Sequence, residues 1–312
     1  IEATIKEEGE IVVSAKLFLD IVRRLPEEIV FIETDERMVT YIACGKVNYQ
    51  IVGMSSVEYP DLPSFEQTDR ITLNAKILRD MIRQTVYAVS ENTAKPIYTG
   101  SLYEIEDGVF KIIAIDGYRM AIRSENVDSE SKNRFVVPGK TQHEVLKLLT
   151  DDEENTEIII GQRHITFKIK NYRIISRLIE GTFIEYKSAI PKETKTEVVI
   201  NTRTIIDAVE RMSLLNNDRI QSPVRCIFSD DEIKLSCTSA VGRANDVISV
   251  PIIGESVEIG FNNRYLLDAL KNADTDEIKL ILNGSLTAMI VKPVKGDSYL
   301  SIVVPMRLAN ES

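Results

Sequence analysis

Four consecutive residues, Asp116-Gly117-Tyr118-Arg119 within "AIDGYRMAI", bring a carboxylate, a phenol and a guanidinium together. In an enzyme of nucleotide or sugar metabolism, Asp116 and Arg119 could serve as acid and anchor. That chemistry needs a further polar group converging on the same cleft, and the sequence supplies none. It contains no GxxxxGK[ST] phosphate loop, GxGxxG turn, GxSxG elbow or HExxH pair. Of the two histidines, His143 falls where related segments carry Leu19 and Leu267, which predicts a packed side chain. His164 sits in "GQRHITF", which reads as a hairpin. No carboxylate cluster has metal-binding spacing, and no cofactor is called for. The Asp-Gly dipeptide reads as a turn, and its apolar flanks, "KIIAI" and "MAI", place that turn close to a core.

Cys44, Cys226 and Cys237 are far apart, odd in number and outside any CxxC pattern, which fits buried thiols in a reducing cytoplasm. No apolar run is long enough to span a bilayer. The net charge of −10 argues against a nucleic-acid binder only as a sum, because phosphate binding depends on where the basic residues lie. With aromatics at 6% and no Trp, stacking platforms for single strands are poor.

The elements that must position these residues come from an internal repeat. "IVVSAKLFLDIVRRL", "FVVPGKTQHEVLKLL" and "EIGFNNRYLLDALKN" align with Lys16 over Lys140 over Arg264, two equal steps of 124 residues. Each reads as a short strand leading into an amphipathic helix, followed by an alternating strand: "EIVFIET", "EIIIGQ" and "EIKLILN". A second strand-helix motif occurs twice, with Asn74 over Asn201 and Asp80 over Asp207. The unit is two halves in tandem, and the first half is seen twice where the second is seen three times. The expectation is an incomplete first copy, missing a half-unit of roughly fifty residues at its front. Boundaries are expected near Arg70 and near "PKETKTE", giving modules 1–70, 71–194 and 195–312.

Residues seven apart share one helix face. Lys16 and Arg23, Lys76 and Arg83, Lys140 and Lys147, and Arg264 and Lys271 all have this spacing; Arg203 and Arg211 are eight apart. One reading is ordinary wet helix surface. The other is a row of equivalent helices turned toward one polyanion, with acidic residues kept to strand turns and the outer surface. Such contacts hold phosphates without reading bases.

Together, "AIDGYRMAI", "EIGFNNRYLLDAL", "SRLIEGTFIEYKSAIP" and the near-terminal "IVVPMRL" resemble the bacterial sliding clamps, the beta subunits of DNA polymerase III, and the resemblance runs the length of the chain. It implies an α+β fold of three tandem clamp domains, helices on one face of antiparallel sheets, the first copy incomplete. It implies a non-catalytic DNA polymerase processivity factor: a head-to-tail homodimeric ring around double-stranded DNA when full length. Its partners would be the polymerase III catalytic subunit, the clamp loader and repair polymerases, bound through linear motifs. Carried over by position, the peptide pocket would be walled by Tyr98, Ile115, Gly117, Tyr118, Arg119, Met120, Ile184 and Ala189. Its third-domain side would be Ile220, Asn262, Tyr265, Leu286, Ile302, Val304, Pro305, Met306, Arg307 and Leu308. In that reading glycine admits a peptide backbone, aliphatic side chains take its apolar anchors and arginines hold its polar atoms.

Overall fold

The computed structural model describes residues 3–60, 69–150, 154–216 and 222–308. Two compact units emerge, 1–64 and 65–312. The smaller contains α1 (Ala15–Val22) and a three-stranded antiparallel sheet of β1 (Val30–Thr34), β2 (Val39–Cys44) and β3 (Val47–Val52). Its core is small: Ile21, Ile42 and Ile51, with Val13, Phe18 and Leu25 packed around them. The strand expected before α1 is reduced to one bridge, Val12 to Met54. In the larger unit the equivalent strands have long antiparallel partners, and none with that role exists among the described residues here.

The larger unit runs through the half-unit four times. The first is β4 (Asp69–Asn74), α2 (Ala75–Val86), β5 (Gly100–Glu106), β6 (Val109–Ile115) and β7 (Arg119–Asn126). The second is β8 (Asn133–Pro138), α3 (Gly139–Leu148), β9 (Asn155–Ile160), β10 (His164–Ile169) and β11 (Tyr172–Arg177). The third is β12 (Thr196–Asn201), α4 (Thr202–Ser213), β13 (Val224–Ser229), β14 (Glu232–Ser239) and β15 (Gly242–Ser249), with the short β16 (Ile252–Gly254) appended. The fourth is β17 (Val257–Phe261), α5 (Asn263–Lys271), β18 (Glu277–Leu282), β19 (Met289–Pro293) and β20 (Tyr299–Val303). The expected tandem of strand-helix-strands halves is therefore present, with β4 starting one residue before the boundary expected at 70.

An asparagine at the end of the strand starts three of these helices. The Asn74, Asn201 and Asn262 side chains accept hydrogen bonds from first-turn amides that the helix itself leaves unpaired. Helices of 8 to 12 residues are marginal alone, so packing must hold them. Accordingly α2 lies beside α3 over one core (Leu78, Met81, Ile82, Val145) and α4 beside α5 over another (Ile205, Val209, Leu266, Leu270). All three cysteines are free and buried, and burial pushes the Cys226 thiol up to about 12. His143 is exposed, against expectation. The neighbouring Gln142 takes the inward position and donates to Ser101 Oγ and the Val137 carbonyl.

A nine-stranded antiparallel sheet, β16-β12-β18-β19-β20-β7-β6-β5-β8, crosses the junction between the second and third repeats. The crossing is made by β20 on β7, with Val303 opposite Arg119, Ile302 opposite Met120 and Ser301 opposite Ala121. Period-two alternation then divides the two faces. On one, the hydroxyl of Tyr87, at the end of α2, lies 3.0 Å from that of Tyr299 and 2.8 Å from Ser301 Oγ. Tyr299 also reaches the Ala269 carbonyl of α5, so α2 and α5 cover the same face. On the other, Met120 and Ile302 pack with Leu102, Ile290, Phe183 and Tyr186.

Burial pushes the Tyr87 hydroxyl up to about 12, and raises Tyr299 as well. A phenol whose folded value exceeds its unfolded one contributes stability that is complete below about pH 10 and is lost as pH rises toward 12. Tyr87→Phe strips a partner from two buried hydroxyls. It is expected to cost about 1–3 kcal/mol at neutral pH, measured as a shift in the urea unfolding curve.

Candidate functional site

The tetrapeptide forms the turn between β6 and β7. Gly117 has φ +94°, a conformation that disfavours any residue with a Cβ. Asp116 Oδ1 accepts from the amides of Tyr118 (2.8 Å) and Arg119 (3.0 Å), so the aspartate closes its own turn. Its Oδ2 takes Arg119 Nε at 3.0 Å. The Arg119 side chain is only 6% exposed and also pairs with Asp268 of α5. Its guanidinium lies 4.6 Å from the Tyr265 ring centre and 5.5 Å from that of Tyr87. Tyr118, 60% exposed, stacks on Tyr265 with ring centres 5.7 Å apart. Acid and anchor therefore neutralise each other, which removes the enzyme reading of this pair. Among the described residues no group of three or more His, Cys, Asp or Glu could hold a metal.

Above this turn lies a cleft of about 560 Å³. Of the expected pocket residues it gathers Tyr98, Ile115, Gly117, Tyr118, Arg119, Ile184 and Tyr265. Arg119 lines it and also ties α5 to the turn through Asp268 and Asp116. Sequence reasoning missed the segment after α2 that forms the facing wall, including Val89, Glu91 and Lys95, and missed Arg264 as a lining residue. Only that segment's position between α2 and Tyr98 could have signalled it. The other expected residues among those described do not line it. Met120 and Ile302 are buried beneath, and Asn262 caps α5. Ala189 and Leu286 are exposed, Leu286 at 83%. Ile220 lies outside the described residues.

The end of the chain runs close by. Val304 donates its amide to the Tyr118 carbonyl at 2.9 Å, and after Pro305 the Met306 amide donates to the Gly260 carbonyl at 2.8 Å. Leu308 sits where a Cβ on Gly260 would stand 2.6 Å from it, so a glycine there gives the terminal segment its seat. Arg307 is exposed.

The basic helix positions are less bare than expected. Arg203 pairs with Asp207 (2.8 Å), Lys147 with Glu144 (2.8 Å) and Lys271 with Glu210 (2.6 Å), all from helices. Arg83 meets Asp80 and Asp274, Arg211 holds Asp246 (2.8 Å), and Arg264 faces Glu91 (3.4 Å). The expected segregation of acidic residues to strand turns and the outer surface does not hold: aspartates and glutamates share these helices. Hydrogen bonds from Lys147 and Lys271 hold the Glu144 and Glu210 carboxyls below their ordinary range. Lys76 and Lys140 make no ion pair among the described residues. In the smaller unit Lys16 and Arg23 are likewise exposed on α1 without one.

Comparison with known proteins gives one answer along the chain. Sequence models of the DNA polymerase III beta subunit match in order: the N-terminal domain at 1–63, the central domain at 72–185 and the C-terminal domain at 187–307. The chain is 34% identical over 310 residues to the beta sliding clamp of Halalkalibacterium halodurans, covering 97% of this chain and 82% of that protein. It is 32% identical over 309 residues to the beta sliding clamp of Bacillus subtilis, with the same coverage. The crystal structure of the Bacillus subtilis DNA polymerase sliding clamp superposes with a TM-score of 0.95 at 32% identity, over 98% of this chain and 82% of that one. A putative DNA polymerase III beta subunit from Eubacterium rectale superposes with a TM-score of 0.94 at 32% identity, over 98% and 83%.

Arg119→Ala leaves Asp116 and Asp268 facing each other without their shared cation. We expect a loss of about 3–5 kcal/mol in urea unfolding, and a smaller loss when Asp268→Asn is already present, because the two changes remove one interaction.

Proposed function

The chain belongs to the DNA polymerase III beta-subunit family, the beta sliding clamps, which are non-catalytic processivity factors, and from that premise we propose how its parts do the work. Three modules, 1–70, 71–194 and 195–312, contribute to a ring around duplex DNA, closed by a head-to-tail second copy when the protein is full length. The observation that carries this reading is the unbroken nine-stranded sheet with α2 and α5 on one face. With α3 beside α2 and α4 beside α5, it supports reading the lysines and arginines of these helices as one set. Lys76, Arg83, Lys140, Lys147, Arg203, Arg211, Arg264 and Lys271 meet phosphates as that set, and Lys16 and Arg23 do so from the first module.

Phosphate contact without base contact gives affinity without register. The exposed ion pairs on these helices are worth little each, so an incoming phosphate displaces a carboxylate at small cost. The cleft beside Tyr118, with Met306 and Leu308 next to it, takes linear motifs from the polymerase III catalytic subunit, the clamp loader and repair polymerases. Its apolar walls, Ile115, Ile184 and the tyrosines, suit apolar anchors of a short peptide. The setting is the cytoplasm, where replication proteins and free thiols coexist.

Two outcomes test this. Loaded by a clamp loader, the full-length protein is expected to stay on nicked circular DNA through gel filtration and to run off linear DNA; equal loss from both would overturn the ring. Removing Lys76 and Lys140 together is expected to lower the slope of log affinity against log salt by about 1 to 2. For the cleft, Met306→Ala with Leu308→Ala should weaken a fluorescein-labelled clamp-motif peptide by more than about 1 kcal/mol in anisotropy titrations. Unchanged affinity would remove the terminal segment from the site.

A further inference from the structure

Ile184 lines the cleft from the chain that crosses from β11 to β12, and it is 44% exposed on no regular element. Its amide makes no hydrogen bond among the described residues. Something else must fix where it stands. The crossing chain is pinned at three places, one along the edge strand β8 and two on the sheet face opposite the helices. Ile179 donates its amide to the Val136 carbonyl at 2.9 Å. Phe183 is buried edge-on against Tyr98, with ring centres 5.7 Å apart. Two residues past Ile184, the Tyr186 hydroxyl donates to Glu104 Oε1 at 2.7 Å.

This last contact is unlike the other two. Glu104 is a buried carboxylate on β5, directly opposite Arg134 on β8. Arg134 and Lys187 stand 3.9 and 4.0 Å from its two oxygens, too far for short hydrogen bonds. Among the described residues the Tyr186 hydroxyl is therefore its one close side-chain donor. Burial first, and then this hydrogen bond, hold that hydroxyl protonated far above the ordinary tyrosine range. A buried charge costs stability that a well-packed apolar pair would not, so its presence is better accounted for by geometry than by stability. Packing alone lets a ring slide over the apolar surface of Leu102, Val136 and Ile190. A short, charge-assisted hydrogen bond fixes its register.

We propose that the Glu104–Tyr186 hydrogen bond positions the cleft: by fixing the crossing chain two residues past Ile184 it sets the height of Ile184 and so the tightness with which a guest's apolar anchor is held. Both residues are positioning residues, since neither lines the cleft. The inference rests on the reading of the cleft as a peptide site, and its test separates the two.

Tyr186→Phe deletes one oxygen and keeps the ring. The labelled clamp-motif peptide is expected to bind about fivefold more weakly, and the unfolding midpoint to fall with folding retained, because a buried carboxylate loses its close donor. Ile184→Pro supplies a rescue independent of the hydroxyl. Proline fixes φ and here sacrifices no hydrogen bond, so it should bring the Tyr186→Phe chain back to within twofold of Ile184→Pro alone. Tyr118→Ala, which removes a wall residue, is the control for the cleft itself. If Tyr118→Ala weakens binding and Tyr186→Phe does not, the positioning role is wrong and the cleft reading stands. If Tyr186→Phe weakens binding but Ile184→Pro restores nothing, the hydroxyl acts on the whole module and the proposal is again overturned. If neither Tyr118→Ala nor Tyr186→Phe changes affinity, the peptide site lies elsewhere and both readings fall. Should Tyr186→Phe fail to fold, Glu104→Gln takes its place: it keeps the shape but removes the charge assistance, so binding more than about twofold weaker is expected, and affinity equal to the parent's would overturn the proposal.

Discussion

The pairing of β20 with β7 constrains the rest of this molecule. Two copies of a repeated module could have been joined by a linker and moved independently. Instead their sheets share hydrogen bonds from Arg119–Val303 to Arg123–Tyr299, so the modules have one curvature and one pair of faces. Once that ladder is fixed, alternation leaves little choice. Ser301 and Ala121 point to the helices, while Ile302 and Met120 point to the crossing chain. The cleft lies at the end of this ladder, where β6 turns into β7.

Arg119 shows how a charge is used at such a place. A guanidinium that is 6% exposed must be matched, and two aspartates from different repeats match it, Asp116 beside it in sequence and Asp268 149 positions away. Two tyrosine faces complete its surroundings, and Tyr118 stacks on one of them. A residue that reads in sequence as a chemical group is in fact a fastener. The cleft's apolar character follows, since the polar atoms of the turn are spent on one another.

Much of the architecture was legible because it is periodic. The 124-residue step placed α1, α3 and α5 in register, and the Asn74 and Asn201 caps marked where strands yield to helices. The Asp-Gly turn was legible for the same local reason, its side chain closing on its own backbone. What was not legible depends on partners distant in sequence. Helical spacing identified Arg83, Arg211 and Arg264 as basic surface, but their carboxylates come from Asp274, Asp246 and Glu91, on elements that only folding brings near. The facing wall of the cleft, Val89 to Lys95, has no motif of its own. His143 was misjudged because neighbouring columns of a short helix differ by only about 100° of rotation, and Gln142 holds the inward one.

The carboxylate-paired cations have a further consequence on the proposed reading. A bare lysine row would sit in deep wells as a duplex advanced past it, each well one phosphate wide. Where a carboxylate reclaims the side chain as soon as a phosphate departs, as Glu210 can for Lys271 and Asp207 for Arg203, the gain and the loss nearly cancel at every step. On the clamp reading, these built-in competitors smooth the energy along the helical axis and act as a lubricant.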